Sequence, residues 1–309
     1  MTFLSIICIL IVEQFKTSPS DKLSEWLASY AAFLEQQFNG GEENHGKVAW
    51  MVGVALPAFL VWLLGLLLDY VNPVLDVALG LVVLYLSLGF RQFSHFFTDI
   101  QLALRAGELE RARQLIAAWR GRSSERLGSA DIVRVAIEEG ILASQRHVFA
   151  PVFWFAVLGP AGVLLYRLGQ ATARHWRHGV TNFSGEERRF DTFACRAFVV
   201  LEWMPARLTA MAFAIVGDFE DAVYCWRTQA NAWPETSSGI LLASGAGALG
   251  IRLGMPLPDA MGMETRPELG LGDDADVDHL QSAIGLIWRA LLLCLLLLAL
   301  MTVMHWAGG

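Results

Sequence analysis

The sequence predicts an all-α fold: a polytopic bundle of membrane helices with amphipathic helices in its polar loops. Three observations predict it. Of 309 residues, 55% are hydrophobic and 17% charged, against roughly 25% charged in an ordinary soluble domain, and mean hydropathy is +0.45. Several runs approach the roughly 20 apolar residues that a helix needs to cross a hydrocarbon core. Between them apolar residues recur at helical spacing, without the alternation of strands.

Residues 1–47 hold two elements. Met1 to Val12 is apolar but lacks the basic start and small-residue cleavage site of a signal peptide, so it reads as a retained membrane-associated helix. Ser18-Pro19-Ser20-Asp21 reads as a capping box. It opens an amphipathic helix whose apolar positions are Leu23, Trp26, Leu27, Tyr30, Leu34 and Phe38.

Residues 48–90 read as a transmembrane hairpin. Val48 to Leu68 carries no charge over 21 residues, Asp69 to Pro73 makes a polar turn, and Pro73 to Phe90 is apolar except for Asp76. Residues 91–147 contain nine Arg and seven acidic residues, with helical patterns over Leu102 to Trp119 and Asp131 to Ser144. The positive-inside rule favours the cytoplasm for this segment.

Residues 148–217 form the membrane core. Val148 to Tyr166 is uncharged but interrupted by Gly159-Pro160-Ala161-Gly162, which fits either a kinked span or a re-entrant hairpin. The five Arg of Arg167 to Asp191 face the wrong side if that run crosses once. Thr192 to Gly217 is apolar around Arg196, Glu202 and Arg207, which lipid penalises by about 3 kcal/mol each. It reads as a helix buried in the bundle or lying partly outside the bilayer. Residues 218–282 read as an acidic Gly/Pro-rich loop, three Arg against eleven acidic residues, with Gly270 to Asp278 a solvated linker. Residues 283–309 supply the last span, with Arg289 placed to snorkel.

A net charge of −7 and the lack of a dense basic tract argue against a nucleic-acid partner. Four scattered cysteines form no Cys-x-x-Cys pair. No Walker A loop, Gly-x-Ser-x-Gly elbow or His-Glu-x-x-His is present. The glycine-rich run Gly239 to Gly254 reads as a small-residue packing face in preference to a phosphate cradle, since no P-loop Lys or Ser/Thr follows. In Arg174-His175-Trp176-Arg177-His178 the arginines repel a cation, so contact with anionic lipid headgroups outweighs a metal site. Glu202 and Arg207, inside an apolar helix, read either as a structural pair, with Glu138 an alternative partner for Arg207, or as part of a functional site.

Five segments resemble a known superfamily. They are MTFLSIICILIVEQF at 1–15, FAPVFWFAVLGPAGVLLYRL at 149–168, VLEWMPARLTA at 200–210, GAGALGIRLG at 245–254, and the C-terminal apolar helix. The superfamily contains the CobD/CbiB proteins of cobalamin biosynthesis and AmpE, a regulator of β-lactamase induction. In the CobD/CbiB branch the resemblance implies an ATP-dependent amide synthase that joins an aminopropanol-type group to a corrinoid carboxylate, with carboxylates holding magnesium and nucleotide phosphates.

That branch carries approximately Glu-Ser-x-x-Glu-Asn-x-x-Asp-Gly before Ala150-Pro151. Here Glu138 stands, but Leu142, Ala143, Arg146 and His147 fill the other places. Where it carries Asn-Thr-Leu-Asp-Ser-Met, this chain reads Gln170 to His175, and where it carries Asp-Asp-x-x-Asn, this chain has Phe198, Val199 and Glu202. Trp203, Pro205, Arg207 and Leu208 match.

The resemblance therefore implies a retained scaffold without ligase chemistry: an AmpE-like multi-pass protein of the bacterial inner membrane, acting as a regulator or sensor. Glu138, Arg167, Arg196, Glu202, Trp203 and Arg207 are then the candidate polar or ligand-sensing cluster, with no catalytic residue, metal or cofactor expected. The bilayer, anionic headgroups and a small-molecule signal are the expected partners. The alternative is a divergent adenosylcobinamide-phosphate synthase using magnesium-ATP, and a small-molecule transporter ranks third.

Overall fold

A computed structural model describes Ile6, Ile9 and residues 20–40, 42–88, 90–178, 190–259 and 262–308. The expected helix over Met1 to Val12 and the start of the capping box at Ser18-Pro19 lie largely outside these residues. The described chain is helical almost throughout, as the hydropathy pattern predicts. Among the described residues four stretches are long and apolar enough to cross a membrane: Glu43–Val71, Ser129–Arg177, Phe190–Val216 and Val277–Met304. The chain divides into two compact units, residues 1–89 with 150–204, and residues 90–149 with 205–309.

In the first unit, α1 (Ser20–Phe38) buries Leu27, Ala31 and Leu34 and leaves Trp26 and Phe33 exposed. Helix α2 (Glu43–Trp50) runs through a π-helical turn, Met51–Ala55, into α3 (Leu56–Val71). Phe59, Leu60, Leu63, Leu66 and Leu67 of α3 are exposed, as a lipid-facing helix requires. Asn72 accepts a hydrogen bond from the Val74 N–H and Pro73 follows it, which starts α4 (Pro73–Ser87). α4 stops at Ser87, short of the expected Phe90, and at 15 residues it is shorter than a full span.

Two carbonyls of this unit are left without a helical donor because a proline stands four residues on. Pro57 cannot pair with the Gly53 carbonyl, and the Tyr30 hydroxyl donates to that oxygen at 3.0 Å. Pro205 cannot pair with the Leu201 carbonyl, and the Trp154 indole N–H donates there at 3.2 Å.

The Gly-Pro-Ala-Gly interruption is a reversal, which settles the choice between kinked span and hairpin. Helix α8 (Ala150–His178) is broken at Gly159, whose φ of 62° and ψ of −149° are not helical and belong to a region essentially reserved for glycine. A Cβ on Gly162 would stand 2.4 Å from the Trp154 carbonyl oxygen. Eight residues of straight helix would separate the two by about 12 Å, so the arms fold back on each other. The turn at Asn72 and the turn at Gly159 line one cavity of about 340 Å³, with Trp62, Asp69, Asp76, Leu158 and Pro160 in its wall.

In the second unit the Arg-rich segment is helical, with boundaries that differ from the periodicity. Instead of one helix over Leu102 to Trp119, α5 (Phe90–Arg105) and α6 (Leu109–Arg120) are separated at Gly107, whose φ is 76°. Phe96 and Phe97 pack on Trp119 with ring centroids 5.4 and 5.5 Å away. Helix α7 (Ser129–Ser144) continues through a second π-helical turn, Gln145–Phe149, into α8. Thr192 to Gly217 resolves as one helix, α9 (Phe190–Val216).

The described residues of 218–282 form helices and short strands, which corrects the expectation of a loop. They hold α10 (Phe219–Gln229), α11 (Thr236–Leu249) and five strands of two to four residues: β1 (Ile251–Gly254), β2 (Leu257–Asp259), β3 (Gly262–Glu264), β4 (Glu268–Gly270) and β5 (Asp273–Asp274). β1 pairs antiparallel with β4 and parallel with β5, while β2 and β3 pair antiparallel in a separate two-stranded sheet. The supposed linker thus contributes β5, tied by Asp274 to Arg252 at 2.9 Å. Strands this short leave no alternation to read in a segment dominated by Gly, Pro and acidic residues. The glycine-rich run lies in a helix buried from Ser238 to Ala248 that leads into β1, and a Cβ on Gly247 would stand 2.5 Å from the Asp221 carbonyl, so its small residues serve packing. Helix α12 (Val277–Gly308) begins six residues before the expected Ala283.

Candidate functional site

The second unit buries a cluster of charge around Glu138. Arg134 and Glu138 stand one helical turn apart on α7, a helix whose other faces are buried too, Ile132, Val133, Val135 and Ile137 among them. Asp131, in the first turn of α7, accepts from the Gly128 N–H at 3.1 Å and from Arg134 Nη2 at 2.6 Å. Asp131 thereby caps the helix and orients the guanidinium with one carboxylate.

The other wall comes from the strands. The Gly254 N–H donates to Glu138 Oε1 at 2.8 Å, and Arg266, between β3 and β4, pairs with Glu138 Oε2. The Arg266 guanidinium lies 5.0 Å over the Trp233 ring, a cation–π contact in a desolvated place. Arg134 Nη1 donates to Met255 Sδ at 3.1 Å. Glycine is needed at 254, where φ is 72° and a Cβ would stand 1.9 Å from the Pro267 carbonyl oxygen. Met255 follows with a φ of 65°, the one non-glycine residue among those described with a positive φ. Such conformations persist where surrounding structure over-determines them.

Glu138 and the side chain of Arg266 are almost wholly buried, at 4% and 9% exposure. A buried pair of this kind costs about 3–5 kcal/mol when one partner is removed, because the other is left uncompensated. Two donors at the cluster, Arg134 Nε and Arg266 Nη1, are buried with no hydrogen-bond partner among the described residues.

The residues singled out from the sequence do not all gather here. Glu138 is the centre of the cluster, and its partner is Arg266. Arg207 lies in the same unit, half-buried. Arg167, Arg196, Glu202 and Trp203 belong to the first unit. Arg167 is buried and bonds the Ser87 carbonyl at the end of α4 and Gln170 Oε1 at 3.1 Å. Arg196 is exposed, 3.9 Å from Glu43, Glu202 is half-buried and Trp203 exposed. In the Arg/His run, Trp176 is a core residue donating to the Ala31 carbonyl at 3.0 Å, and His175 Nε2 stands 3.8 Å from Glu35. Sequence reading missed Arg134, Trp233, Gly254 and Arg266. Arg134 left a signal, a cation four residues before Glu138 on an apolar helix, whereas Arg266 sits in a segment without periodicity.

A family model described as CobD/Cbib protein matches residues 19–287. The chain belongs to the CobD/CbiB family. Its similarity extends along nearly the whole length of a relative from Stutzerimonas stutzeri named "Cobalamin biosynthesis protein CobD", 34% identical over 303 residues, 96% of each chain. Proteins of the same name from Chromobacterium violaceum and Mycobacterium tuberculosis are 32% identical over 222 residues (71% of this chain, 69% of the relative) and 29% identical over 255 residues (78% of each). No solved structure matches.

These findings overturn the AmpE-like reading. That reading weighed a few missing carboxylates, whereas similarity along the whole chain points to the cobalamin branch of the CobD/CbiB family. The magnesium ion implied by that branch does not fit the cluster at Glu138. Both carboxylate oxygens are engaged, one by a backbone N–H and one by a guanidinium, whereas magnesium needs carboxylate oxygens to itself. Among the described residues no group of three His, Cys, Asp or Glu side chains is arranged to hold a metal.

Proposed function

We propose that this chain acts in cobalamin biosynthesis, in the inner membrane of a bacterium, at the amide-forming step that joins an aminopropanol-type amine to a corrinoid carboxylate. The observation that carries the reading is the 34% identity over 96% of both chains with a protein named for cobalamin biosynthesis. The buried Arg134–Glu138–Arg266 cluster supports it as a place where a charged substrate group is held out of water, so that each charge-assisted contact counts for more. Lipid surrounds the apolar helices, and the arginines near their ends suit anionic headgroups.

A second reading, binding and presentation of a pathway intermediate without catalysis, draws on the neutralisation of Glu138 by Arg266. Expression in a bacterium lacking its own CobD tests both. Restored growth under conditions that demand cobalamin synthesis supports the role in the pathway. Turnover of cobyric acid by the purified protein with magnesium-ATP then supports catalysis, and the absence of growth overturns both readings.

A further inference from the structure

We propose that Arg134 and Arg266 form a buried oxyanion site in which Glu138 holds the place of the ligand until the ligand arrives. The inference deepens the function proposed above and rests on it only for the ligand's biological identity.

Four observations carry it. Arg134, Glu138 and the Arg266 side chain are each at least nine-tenths buried. Arg134 Nε and Arg266 Nη1 are shielded from water yet bonded to nothing among the described residues, a rare state for buried guanidinium donors. Both guanidiniums act on the same carboxyl: Arg266 by direct pairing, and Arg134, one turn away on α7, through its charge. Trp233 supports the Arg266 plane from one side, which leaves its edges to bond.

A fork of N–H donors with one edge occupied and one N–H unspent matches an anion presenting several acceptor oxygens. A phosphate and a carboxylate share that chemistry, and a phosphate can come from a soluble ester or a lipid headgroup. The Glu138 carboxylate occupies Arg266 Nη2 in this structure, so an entering oxyanion competes with it.

The test uses the full-length protein in phosphatidylcholine nanodiscs, with thermal unfolding followed against inorganic phosphate or acetate at constant ionic strength. A ligand that binds the folded state raises Tm saturably, and the wild-type protein is expected to respond in this way. E138Q removes the competing charge and should lower the half-saturating concentration at least threefold. R266Q alone strands a buried carboxylate, so E138Q/R266Q, which removes both charges, serves as the folded variant and should lose the response, as should R134Q.

A stronger response to phosphate than to acetate assigns a phosphate ligand, and the reverse assigns a carboxylate. Stabilisation by phosphatidylglycerol nanodiscs without added anion, lost in E138Q/R266Q, assigns a lipid headgroup. If neither wild type nor E138Q responds to any of the three, or if E138Q/R266Q responds as wild type does, the site is overturned. Growth restored in the CobD-lacking strain without such a response rejects the site alone. A response without growth rejects the pathway role alone.

Discussion

Trp154 illustrates how single side chains hold this fold. Its indole N–H meets the Leu201 carbonyl, the oxygen that Pro205 strands by having no N–H of its own. Trp154→Phe leaves that oxygen without a donor and should cost about 1–2 kcal/mol in unfolding experiments. The double variant W154F/P205A restores a helical N–H for Leu201, so the loss should shrink well below the sum of the two single effects. Additive losses in the cycle would dissociate the indole from the proline. Tyr30 does the same service for the Gly53 carbonyl opposite Pro57. In both places the residue that looks merely aromatic in sequence is an answer to a proline elsewhere in the chain.

At the scale of elements, boundaries are set by caps as much as by hydropathy. Helix α12 starts before its apolar run because Asp276 Oδ1 accepts from the N–H groups of Asp278 and His279 at 3.0 and 3.2 Å. Slight burial opposes the charge of Asp276, but the backbone N–H of His279, its imidazole and the N–H of Asp278 outweigh it and hold the carboxyl below its ordinary value. A depressed folded-state pKa means stability that is present above the unfolded carboxylate value, near 3.9, and lost as pH falls through the folded one. Asp276→Ala should lower stability by about 1 kcal/mol at neutral pH. The difference from wild type should fade in melts taken progressively below the ordinary carboxylate range, and a constant difference there would exclude charge as the cause.

The largest scale on which the geometry makes a prediction is the first unit in its membrane. Two of its ion pairs, Lys47–Glu43 at 3.1 Å and Arg196–Glu43 at 3.9 Å, involve the start of α2. The turns at Asn72 and Gly159 share a cavity at the other end of α2–α3, a run of 29 residues, or about 43 Å of helix. Labelling with a membrane-impermeant maleimide, read by mass spectrometry at the introduced site, should therefore place Y70C and L158C on one side and H45C on the other. Labelling of L158C and Y70C from opposite sides would mean that the hairpin at Gly159 does not form in the membrane.

Much of the fold is legible in the sequence because hydropathy is a local, additive property. A run without charge over Val48 to Leu68 has no soluble alternative, and the helices, the lipid-exposed leucines of α3 and the break at Gly159-Pro160 can all be read from neighbouring residues. Family membership is legible too, in the motifs of residues 149–168 and 200–210, but a handful of substituted positions does not decide the branch. Of the candidate site, Glu138 is legible as the one carboxylate of the family pattern before Ala150-Pro151 that this chain keeps. Its partner is not, because Arg266 lies 128 residues away in a segment whose short strands carry no period. The sequence by itself determined that this is a helical membrane protein of the CobD/CbiB superfamily. Tertiary structure alone decided that its buried carboxylate meets two arginines, since the energy of burying a charge depends on which remote group arrives to compensate it.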